Sequence, residues 1–420
     1  MSHPLRVGVV GFGVAGGAVA TLLARAGHAV TVFERAPSLG PVGAGLLLQP
    51  SGQAVLQRMG LLAEMAAQSE PIDGLHAFTS RGPTLIHLRI ADALPGHRAY
   101  GVHRGLLFET LHRAARRAGV TIHTGQEIHG WRTEHDTVSA KVADGAEHGP
   151  FDLLLAADGS RSALRPLIDP NVEVGEYDFG ALWSVGHCTR VRGYLHQVTE
   201  GTRHLLGLLP IGGDRCTLFW SVPGGQVETV RQEGFAAWRE QVLRLSPLAE
   251  EVFTDLRDFD QVTFTTYWRV RMRRLHNGRV ACLGDAGHAM SPHLGQGANL
   301  ALLDAECLAG CLNEGVDVPS ALAKYQTRRQ AQLAYYAALS RFLTPFFQSE
   351  GWLLGAGRDV ALPLMMRAPP LRREMERAMA GVKPGWFGPL IDVSALNGGD
   401  LAQQTALLAR ASSQPADPRV

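Results

Sequence analysis

Cysteine is scarce and shows no pairing pattern in this sequence of 420 residues. The five cysteines include no CxxC pair, and the 17 histidines include no HExxH or similar spacing. Neither a disulfide framework nor a metal site is therefore expected. Few, unpaired cysteines are typical of proteins in a reducing compartment, so they predict a cytoplasmic location.

The sequence also lacks an excess of charge of either sign and any long apolar run. Lys and Arg number 40 against 39 acidic residues, which gives no broad field to attract nucleic acid or an anionic membrane. No apolar run approaches the roughly 20 residues of a transmembrane helix. We therefore expect neither a nucleic-acid partner nor a transmembrane segment. The length favours two closely joined globular domains.

Glycine, in contrast, is concentrated near the beginning of the chain, in VGVVGFGVAGGAVATLLARAGHAVTVFERA at residues 7–36. The pattern predicts a buried strand, a helix and a second strand. Gly11 allows a tight turn, Gly13 lets a pyrophosphate approach the backbone, and Gly16 lets the helix pack closely on the strand. Glu34, at the end of the second strand, can accept hydrogen bonds from ribose hydroxyls. This stretch predicts a dinucleotide site without distinguishing NAD from FAD. Its other candidate contacts are Val14, Ala15 and Arg35.

Two later stretches, together with the first, resemble the three fingerprints of the class A flavoprotein monooxygenases. This family contains para-hydroxybenzoate hydroxylase, salicylate hydroxylase and the ubiquinone-pathway hydroxylases. In FDLLLAADGSRSALR, at residues 151–165, an apolar strand ends at Asp158-Gly159. In GRVACLGDAGHAMSPHLGQGANLALLDAECLAGCL, at residues 278–312, a strand ends at Gly284-Asp285 before a glycine-rich loop and a helix. The three motifs occur in the family's order.

The resemblance implies that the nucleotide is FAD. Asp158 and Arg165 would serve the pyrophosphate and the approach of the nicotinamide cofactor, and Asp285 would bind the ribityl hydroxyls, which NAD lacks. The helix after the loop would direct its N-terminus at the flavin N1–C2=O edge, where reduced flavin holds negative charge. The implied cofactor contacts beyond the first stretch are Gly45, Arg104, Asp158, Gly159, Arg165, Gly284, Asp285, Pro292, Gly295, Gln296, Gly297, Ala298 and Asn299.

The predicted fold class is α/β. It comprises a Rossmann-like FAD-binding domain of the para-hydroxybenzoate hydroxylase fold, an interleaved antiparallel-sheet substrate domain, and C-terminal helices. Alternating stretches such as HLLGLLPIGG predict the antiparallel sheet. The predicted FAD-binding domain is 1–73, 99–176 and 267–345; the substrate domain is 74–98 and 177–266; a helical cover is 346–411; and a disordered tail is 412–420.

Few side chains are predicted to bind substrate or act in catalysis. The candidate substrate contacts are Gln49, Trp183, Phe219 and Trp220, although aromatic residues on a sheet also fit a hydrophobic core. His293, in the loop with Pro292, is a candidate base for a phenolic proton, or else a hydrogen-bonding residue of the loop. The apolar segment beyond Gln330, which Gly and Pro break into short predicted helices, fits a cover over an apolar substrate or a helical dimer face. Monomer and homodimer are both left open.

The activity implied by the resemblance is hydroxylation of a small or medium apolar aromatic or heteroaromatic ring. NADPH or NADH would reduce FAD, and O2 would then form a flavin C4a-hydroperoxide that transfers one oxygen. Epoxidation and Baeyer–Villiger oxidation are alternatives on the same scaffold. A flavin-dependent halogenase is disfavoured because its WxWxIP stretch is absent. A non-catalytic flavin-binding redox sensor is the alternative of another class.

Overall fold

A computed structural model describes residues 3–40, 43–143 and 145–397 of the chain. The strands are β1 (Arg6–Val10), β2 (Ala29–Glu34), β3 (Gly45–Leu48), β4 (Glu70–Thr79), β5 (Thr84–Arg89), β6 (Ala99–His103), β7 (Thr121–Thr124), β8 (Ile128–Glu134), β9 (Thr137–Val142), β10 (Glu147–Phe151), β11 (Leu153–Ala156), β12 (Glu173–His187), β13 (Gly193–Glu200), β14 (His204–Pro210), β15 (Arg215–Pro223), β16 (Thr263–Arg271), β17 (His276–Asn277) and β18 (Val280–Cys282). The helices are α1 (Val14–Arg25), α2 (Pro50–Arg58), α3 (Leu62–Ala66), α4 (Ile90–Ala93), α5 (Arg104–Arg117), α6 (Arg165–Ile168), α7 (Val227–Glu233), α8 (Phe235–Leu245), α9 (Asp285–His288), α10 (Gly297–Asn313), α11 (Val318–Phe347), α12 (Trp352–Arg367) and α13 (Pro369–Met379). The tail predicted at 412–420 lies outside the described residues.

A six-stranded sheet carries all three glycine-rich motifs at one edge. Its strand order is β17-β18-β11-β1-β2-β7, and every pairing from β18 to β7 is parallel. Strands β11 and β18 are buried throughout, as their unbroken apolar sequences predict. Because parallel strands end at the same edge, the loops that follow β1, β11 and β18 meet there.

A larger, mostly antiparallel sheet forms the second layer. Its order is β16-β12-β15-β14-β13-β4-β6-β3, with β5 paired to β4. The pairings are antiparallel except for β4 with β13, which is parallel. Strands β3 and β6 pair in this larger sheet, although both belong to segments that were predicted for the FAD-binding domain. The larger sheet therefore includes residues on both sides of the predicted domain boundaries.

A third, three-stranded sheet was not anticipated from the sequence. Its order is β10-β9-β8. Val138 and Ala140 of β9 pack with Phe33 and Phe151 in an apolar cluster beside the six-stranded sheet. This small sheet therefore covers part of one face of the six-stranded sheet.

The C-terminal helices differ from the expectation of short pieces broken by Gly and Pro. Helix α11 continues over 30 residues, and Pro345 lies inside its last turn. Arg341, whose carbonyl loses its donor to this proline, is on an exposed turn where water can replace the missing N–H. Helix α12 then packs against β5 and α11. In the described part of the chain, no helix is long and apolar enough to cross a bilayer.

Candidate flavin and substrate site

The three glycines of the first motif differ in why each position requires glycine. Gly11 has a φ of 95°, and a Cβ atom there would lie 2.5 Å from the carbonyl oxygen of Ala157. A Cβ atom at Gly16 would overlap the carbonyl oxygen of Gly11. At Gly13, by contrast, a Cβ atom would meet nothing within 4 Å. The space above Gly13, at the N-terminus of α1, is therefore the open cradle that a pyrophosphate requires.

Glu34 lies at the rim of a cleft of about 190 Å³ beside this loop. Its carboxylate accepts hydrogen bonds from the backbone N–H of Phe12 at 2.8 Å and of Ala36 at 2.9 Å. These bonds hold the carboxylate at the cleft and leave lone pairs for ribose hydroxyls. The lining residues are Val10, Gly11, Gly13, Phe33, Glu34, Arg35, Gln126, Glu127, Ile128, Ala157, Asp158, Gly159, Arg161 and Ala163. Sequence reasoning missed Gln126 because no motif surrounds it.

Asp158 faces the same cleft from the end of β11. Its Oδ2 accepts from the backbone N–H of Ala163 at 3.0 Å, whereas its buried Oδ1 has no hydrogen-bond partner within the described residues. Burial raises the pKa of this carboxyl, and a hydrogen bond from Ser162 partly opposes that effect. A buried oxygen without a partner fits a polar ligand group.

Arg165 does not line this cleft, and its cofactor contact stays a prediction. The side chain is 4% exposed, and its guanidinium donates to the carbonyls of Ala286 and Ser160, each at 3.1 Å. Burial lowers the pKa of Arg165. Because Ser160 belongs to the second motif and Ala286 to the third, these two hydrogen bonds link the two motifs.

The third motif is held by a buried charged network that sequence reasoning missed. Asp304 of α10 is fully buried and accepts from the backbone N–H of Gly284 at 2.9 Å, from His288 Nε2 at 2.5 Å and from Arg329 Nε at 2.7 Å. Burial alone would raise the pKa of Asp304, but His288 and Arg329 hold it at about 2. Gly284 has a φ of 59°, so the chain turns sharply at this anchored point.

Asp285 follows this turn and is exposed. Its carboxylate forms no hydrogen bond to another described residue and lies 3.7 Å from the position of a Cβ atom at Gly297. It therefore stands beside the first turn of α10, where Gly297, Ala298 and Asn299 leave backbone N–H groups without helical partners. A free carboxylate next to such a helix end fits a ribityl chain and the polar edge of a flavin.

Three amide side chains, of Gln49, Gln296 and Asn299, hold this loop in place by hydrogen bonds. Asn299 accepts from the backbone N–H of Gln49 and donates to the carbonyls of Leu47 and Gly295, at 2.9–3.0 Å. Gln49 donates to the carbonyl of Leu294 and is fully buried, and its role as a substrate contact stays a prediction. Asn299 can offer FAD only its backbone, whereas the buried Oε1 of Gln296 has no hydrogen-bond partner within the described residues. The side chain of Gln296 donates to the carbonyl of Ala378 near the end of α13.

Four further predicted cofactor residues, Arg104, Gly45, Gly295 and Pro292, do not line this cleft. Arg104 is exposed and lies against Gly43, where a Cβ atom would be 2.9 Å from Arg104 Cδ. Gly45 packs on Thr217, whose Oγ1 would be 2.5 Å from a Cβ atom, so sheet packing accounts for this glycine. Gly295 adopts a left-handed conformation with a φ of 62°. Pro292, three residues earlier, is exposed.

The aromatic residues of the large sheet divide between its two faces. Trp183 pairs with Phe219 across β12 and β15, and their ring centroids are 5.1 Å apart. Phe219 packs against an apolar cluster that includes Leu209 and Phe347. Trp220 points to the opposite face, where it is 2% exposed and packs in the cluster that contains Trp238 of α8. Trp220 and Phe219 therefore cannot contact the same ligand from one face of the sheet, because side chains alternate along a strand.

His293 joins this apolar cluster to the flavin loop. Its ring lies 5.8 Å from Phe347, and its buried Nε2 has no hydrogen-bond partner within the described residues. Burial lowers the pKa of His293 to about 4, so the ring is neutral at pH 7. Tyr267 of β16, not anticipated from the sequence, is buried near Trp183, and burial raises its pKa.

Comparison with known proteins identifies the class. Residues 5–337 match a family described as FAD binding domain, so the chain belongs to the FAD-binding family of class A flavoprotein monooxygenases. The sequence prediction of FAD, of a monooxygenase and of the para-hydroxybenzoate hydroxylase fold is confirmed. Among the described residues, no group of three His, Cys, Asp or Glu side chains is arranged to hold a metal.

Particular relatives cover most of the chain. It is 32% identical to aurachin C monooxygenase/isomerase of Stigmatella aurantiaca, over 78% of this chain and 86% of the relative. It is 30% identical to 2-heptyl-3-hydroxy-4(1H)-quinolone synthase of Mycobacteroides abscessus, over 76% and 84%. The fold matches Klebsiella pneumoniae HpxO complexed with FAD and uric acid, with a TM-score of 0.77, 21% identity, and coverage of 91% of this chain and 98% of that one.

Proposed function

We propose that the protein uses NADH or NADPH and O2 to hydroxylate a neutral, apolar heteroaromatic ring of the alkylquinolone type. The observation that carries this proposal is the apolar packing of Trp183, Phe219 and Phe347, which we call the wall, beside His293 of the flavin loop. Two relatives, from Mycobacteroides abscessus and Rhodococcus erythropolis, are named for a quinolone that bears a heptyl chain. Such a substrate combines a flat ring with an apolar tail, and both suit this wall.

Arg358, the cation beside the wall, is already paired, and this favours a substrate without negative charge. The guanidinium carbon of Arg358 lies 5.2 Å from the centre of the Phe347 ring. Its nitrogens donate to Asp359 at 2.6 Å and to the carbonyls of Gly201 and Phe346 at 3.0 and 2.9 Å. Because this guanidinium is neutralised and its donors are engaged, Arg358 is not available to bind a substrate carboxylate.

FAD, when bound, supplies the redox chemistry that accepts hydride and activates oxygen. The chain's own groups hold it: the first turn of α10 stabilises negative charge at the flavin edge, and Asp285 binds hydroxyls of the ribityl chain. Trp183 and Phe219 orient the substrate ring and exclude water from the reacting face. These are binding and positioning tasks, so the reaction requires no nucleophilic side chain.

His293 fits a neutral hydrogen-bonding role better than the role of a base. A group with a pKa of about 4 is a poor acceptor for a phenolic proton at pH 7. Its partnerless Nε2 can hydrogen-bond an N–H or O–H group of the ring and fix which carbon faces the flavin. We also propose a cytoplasmic location, which the five free cysteine thiols support.

Substrate and product analysis tests this function. The purified, FAD-loaded protein is given NADH or NADPH in air with 2-heptyl-4(1H)-quinolone, urate, kynurenine or 3-amino-4-hydroxybenzoate, and oxygen uptake is followed. We expect the alkylquinolone alone to stimulate uptake by about tenfold or more. NMR of the product then separates a ring hydroxyl group from an epoxide or a ring-expanded lactone. Stimulation only by the carboxylates would overturn the neutral-substrate proposal, and no stimulation by any aromatic compound would favour the sensor.

A pair of tryptophan variants tests the assigned wall. Trp183→Leu should raise KM for the alkylquinolone about tenfold, because the ring loses its aromatic contact. Trp131→Leu, on the three-stranded sheet, is the matched control and should leave KM unchanged. Equal effects of the two substitutions would contradict the placement of the substrate against Trp183.

A further inference from the structure

The outward face of α12 is apolar along the length of the helix. Trp352, Leu353, Val360 and Leu364 are 74%, 66%, 65% and 56% exposed, respectively. On the neighbouring helix α11, Phe342 is 64% exposed. The water-facing side of a surface helix is normally polar, so this stripe calls for a partner.

The opposite face of α12 is firmly packed, so the stripe is not a core face that has been left open. Gly355, Arg358 and Leu362 are buried on that side. Leu362 belongs to the same apolar cluster as Phe347, and Phe219 packs against that cluster. The helix is therefore anchored over the substrate wall while its apolar stripe points outward.

Unpaired positive charge borders the stripe. Arg341 and Arg367 are exposed, and neither forms a hydrogen bond or ion pair with another described residue. The nearby acids are already paired, Glu350 with Arg203 and Asp359 with Arg358. The local surface is thus apolar and positive, although the chain as a whole is almost neutral.

The size of the stripe favours a membrane surface over a second copy of the chain. A helix of 16 residues is about 24 Å long and presents a face roughly 10 Å wide, or about 240 Å². A stable protein interface buries about 800 Å² on each partner. An interfacial helix needs only its own apolar face, with arginines at its border, to bind anionic lipid headgroups.

We propose that α12, with Phe342 and the bordering Arg341 and Arg367, docks the protein on the surface of an anionic phospholipid bilayer. The helix lies in the plane of the membrane and does not cross it. If the proposed alkylquinolone function is right, on which this last step rests, the docked helix places the substrate wall next to the phase in which such a substrate dissolves.

Co-sedimentation of the full-length, FAD-loaded protein with vesicles tests the proposal. Vesicles of phosphatidylcholine and phosphatidylglycerol in equal parts should bind the protein, and pure phosphatidylcholine should bind it more weakly. The double variant Leu353→Glu, Val360→Glu should lose vesicle binding about a hundredfold, because two charges enter the apolar face. Arg341→Gln with Arg367→Gln should lose about 25-fold, at about fivefold for each arginine. Leu167→Glu with Val174→Glu, exposed apolar positions elsewhere, is the matched control and should bind as the original protein does.

Each other result would overturn the proposal. The proposal fails if the wild-type protein does not sediment with anionic vesicles. It also fails if the Leu353→Glu, Val360→Glu variant binds these vesicles as strongly as the wild-type protein. Light scattering that shows a dimer which this variant dissociates would assign the face to a second copy. Flavin absorbance confirms that each variant is folded, and the assay needs no turnover, so its failure is separate from a failure of the proposed function.

Discussion

The nucleotide side and the substrate side of the site are specified in different ways. On the nucleotide side, Gly11 and Gly16 are required by contacts with backbone a few residues away or in the adjacent strand. On the substrate side, Trp183, Phe219 and His293 come from three distant segments, and the alternation of a strand or the path of a loop decides where each one points. Contact with backbone permits few residue types at a position, so it produces a motif that can be recognised in the sequence. Side-chain packing permits many residue types and produces no such motif.

The largest expected effect separates two glycines of one motif. Gly16→Ala should lower the free energy of unfolding by more than about 4 kcal/mol and so prevent stable folding. The reason is that the new methyl group overlaps the carbonyl oxygen of Gly11. Gly13→Ala should keep the fold and weaken FAD binding about tenfold, because its methyl group enters only the cradle. Urea unfolding and FAD titration measure the two effects. Similar stability in both variants would contradict the assignment of Gly13 to the ligand.

Asp304 supplies the next effect and a pH dependence. Asp304→Asn should cost about 3–5 kcal/mol, because the buried Arg329 loses its charged partner. The folded pKa of about 2 lies below the ordinary value of about 3.9, so the stabilisation is present above pH 4 and is lost as the pH falls through 2. The free energy of unfolding should fall more steeply with acid in the original protein than in the variant. Parallel pH profiles would contradict this account.

Asp285 is the exposed counterpart of Asp304 in the same motif. Asp285→Ala should weaken FAD binding about 10–100-fold, because hydrogen bonds to a charged acceptor are lost. The unfolding of the FAD-free protein should not change, since Asp285 has no hydrogen bond to another described residue. Full flavin occupancy at low FAD concentration would remove the support for Asp285 as a ribityl contact.

His293 is expected to give the smallest effect. His293→Phe should lower kcat/KM about tenfold through loss of one hydrogen bond, and His293→Gln should restore part of it. Between pH 6 and 8 the rate should show no step due to His293, because the pKa of about 4 keeps the ring neutral throughout. A step near pH 6.5 that disappears in His293→Gln would restore the role of a base.

This difference also explains what could be predicted from the sequence. The order strand, glycine loop, helix and acid at Gly11–Glu34 was sufficient to predict the parallel sheet, because each residue type answers a local backbone demand. The Asp158 and Asp285 turns follow the same rule, and with them FAD was predicted. The network of Asp304 with Arg329 was missed because its partners are 25 residues apart and lie among apolar residues.

Elsewhere, tertiary packing overrode local signals. Pro345 suggested a helix break, yet α11 continues because the affected turn is exposed to water. Arg165 and Gln49 were predicted as ligand residues, and in the structure both are buried and donate to loop carbonyls. Trp220 differs from Phe219 by one position, and that single step places it on the other face of the sheet.

The rate of flavin reduction with a matched pair of ring compounds tests the central claim most directly. Under anaerobic conditions, NADPH or NADH is mixed with the FAD-loaded protein and either 2-heptyl-4(1H)-quinolone or 4-hydroxyquinoline-2-carboxylate, and the loss of the oxidised flavin absorbance is timed. The account predicts that the neutral alkylquinolone accelerates reduction about tenfold or more and that the carboxylate does not. Acceleration by the carboxylate alone would contradict it.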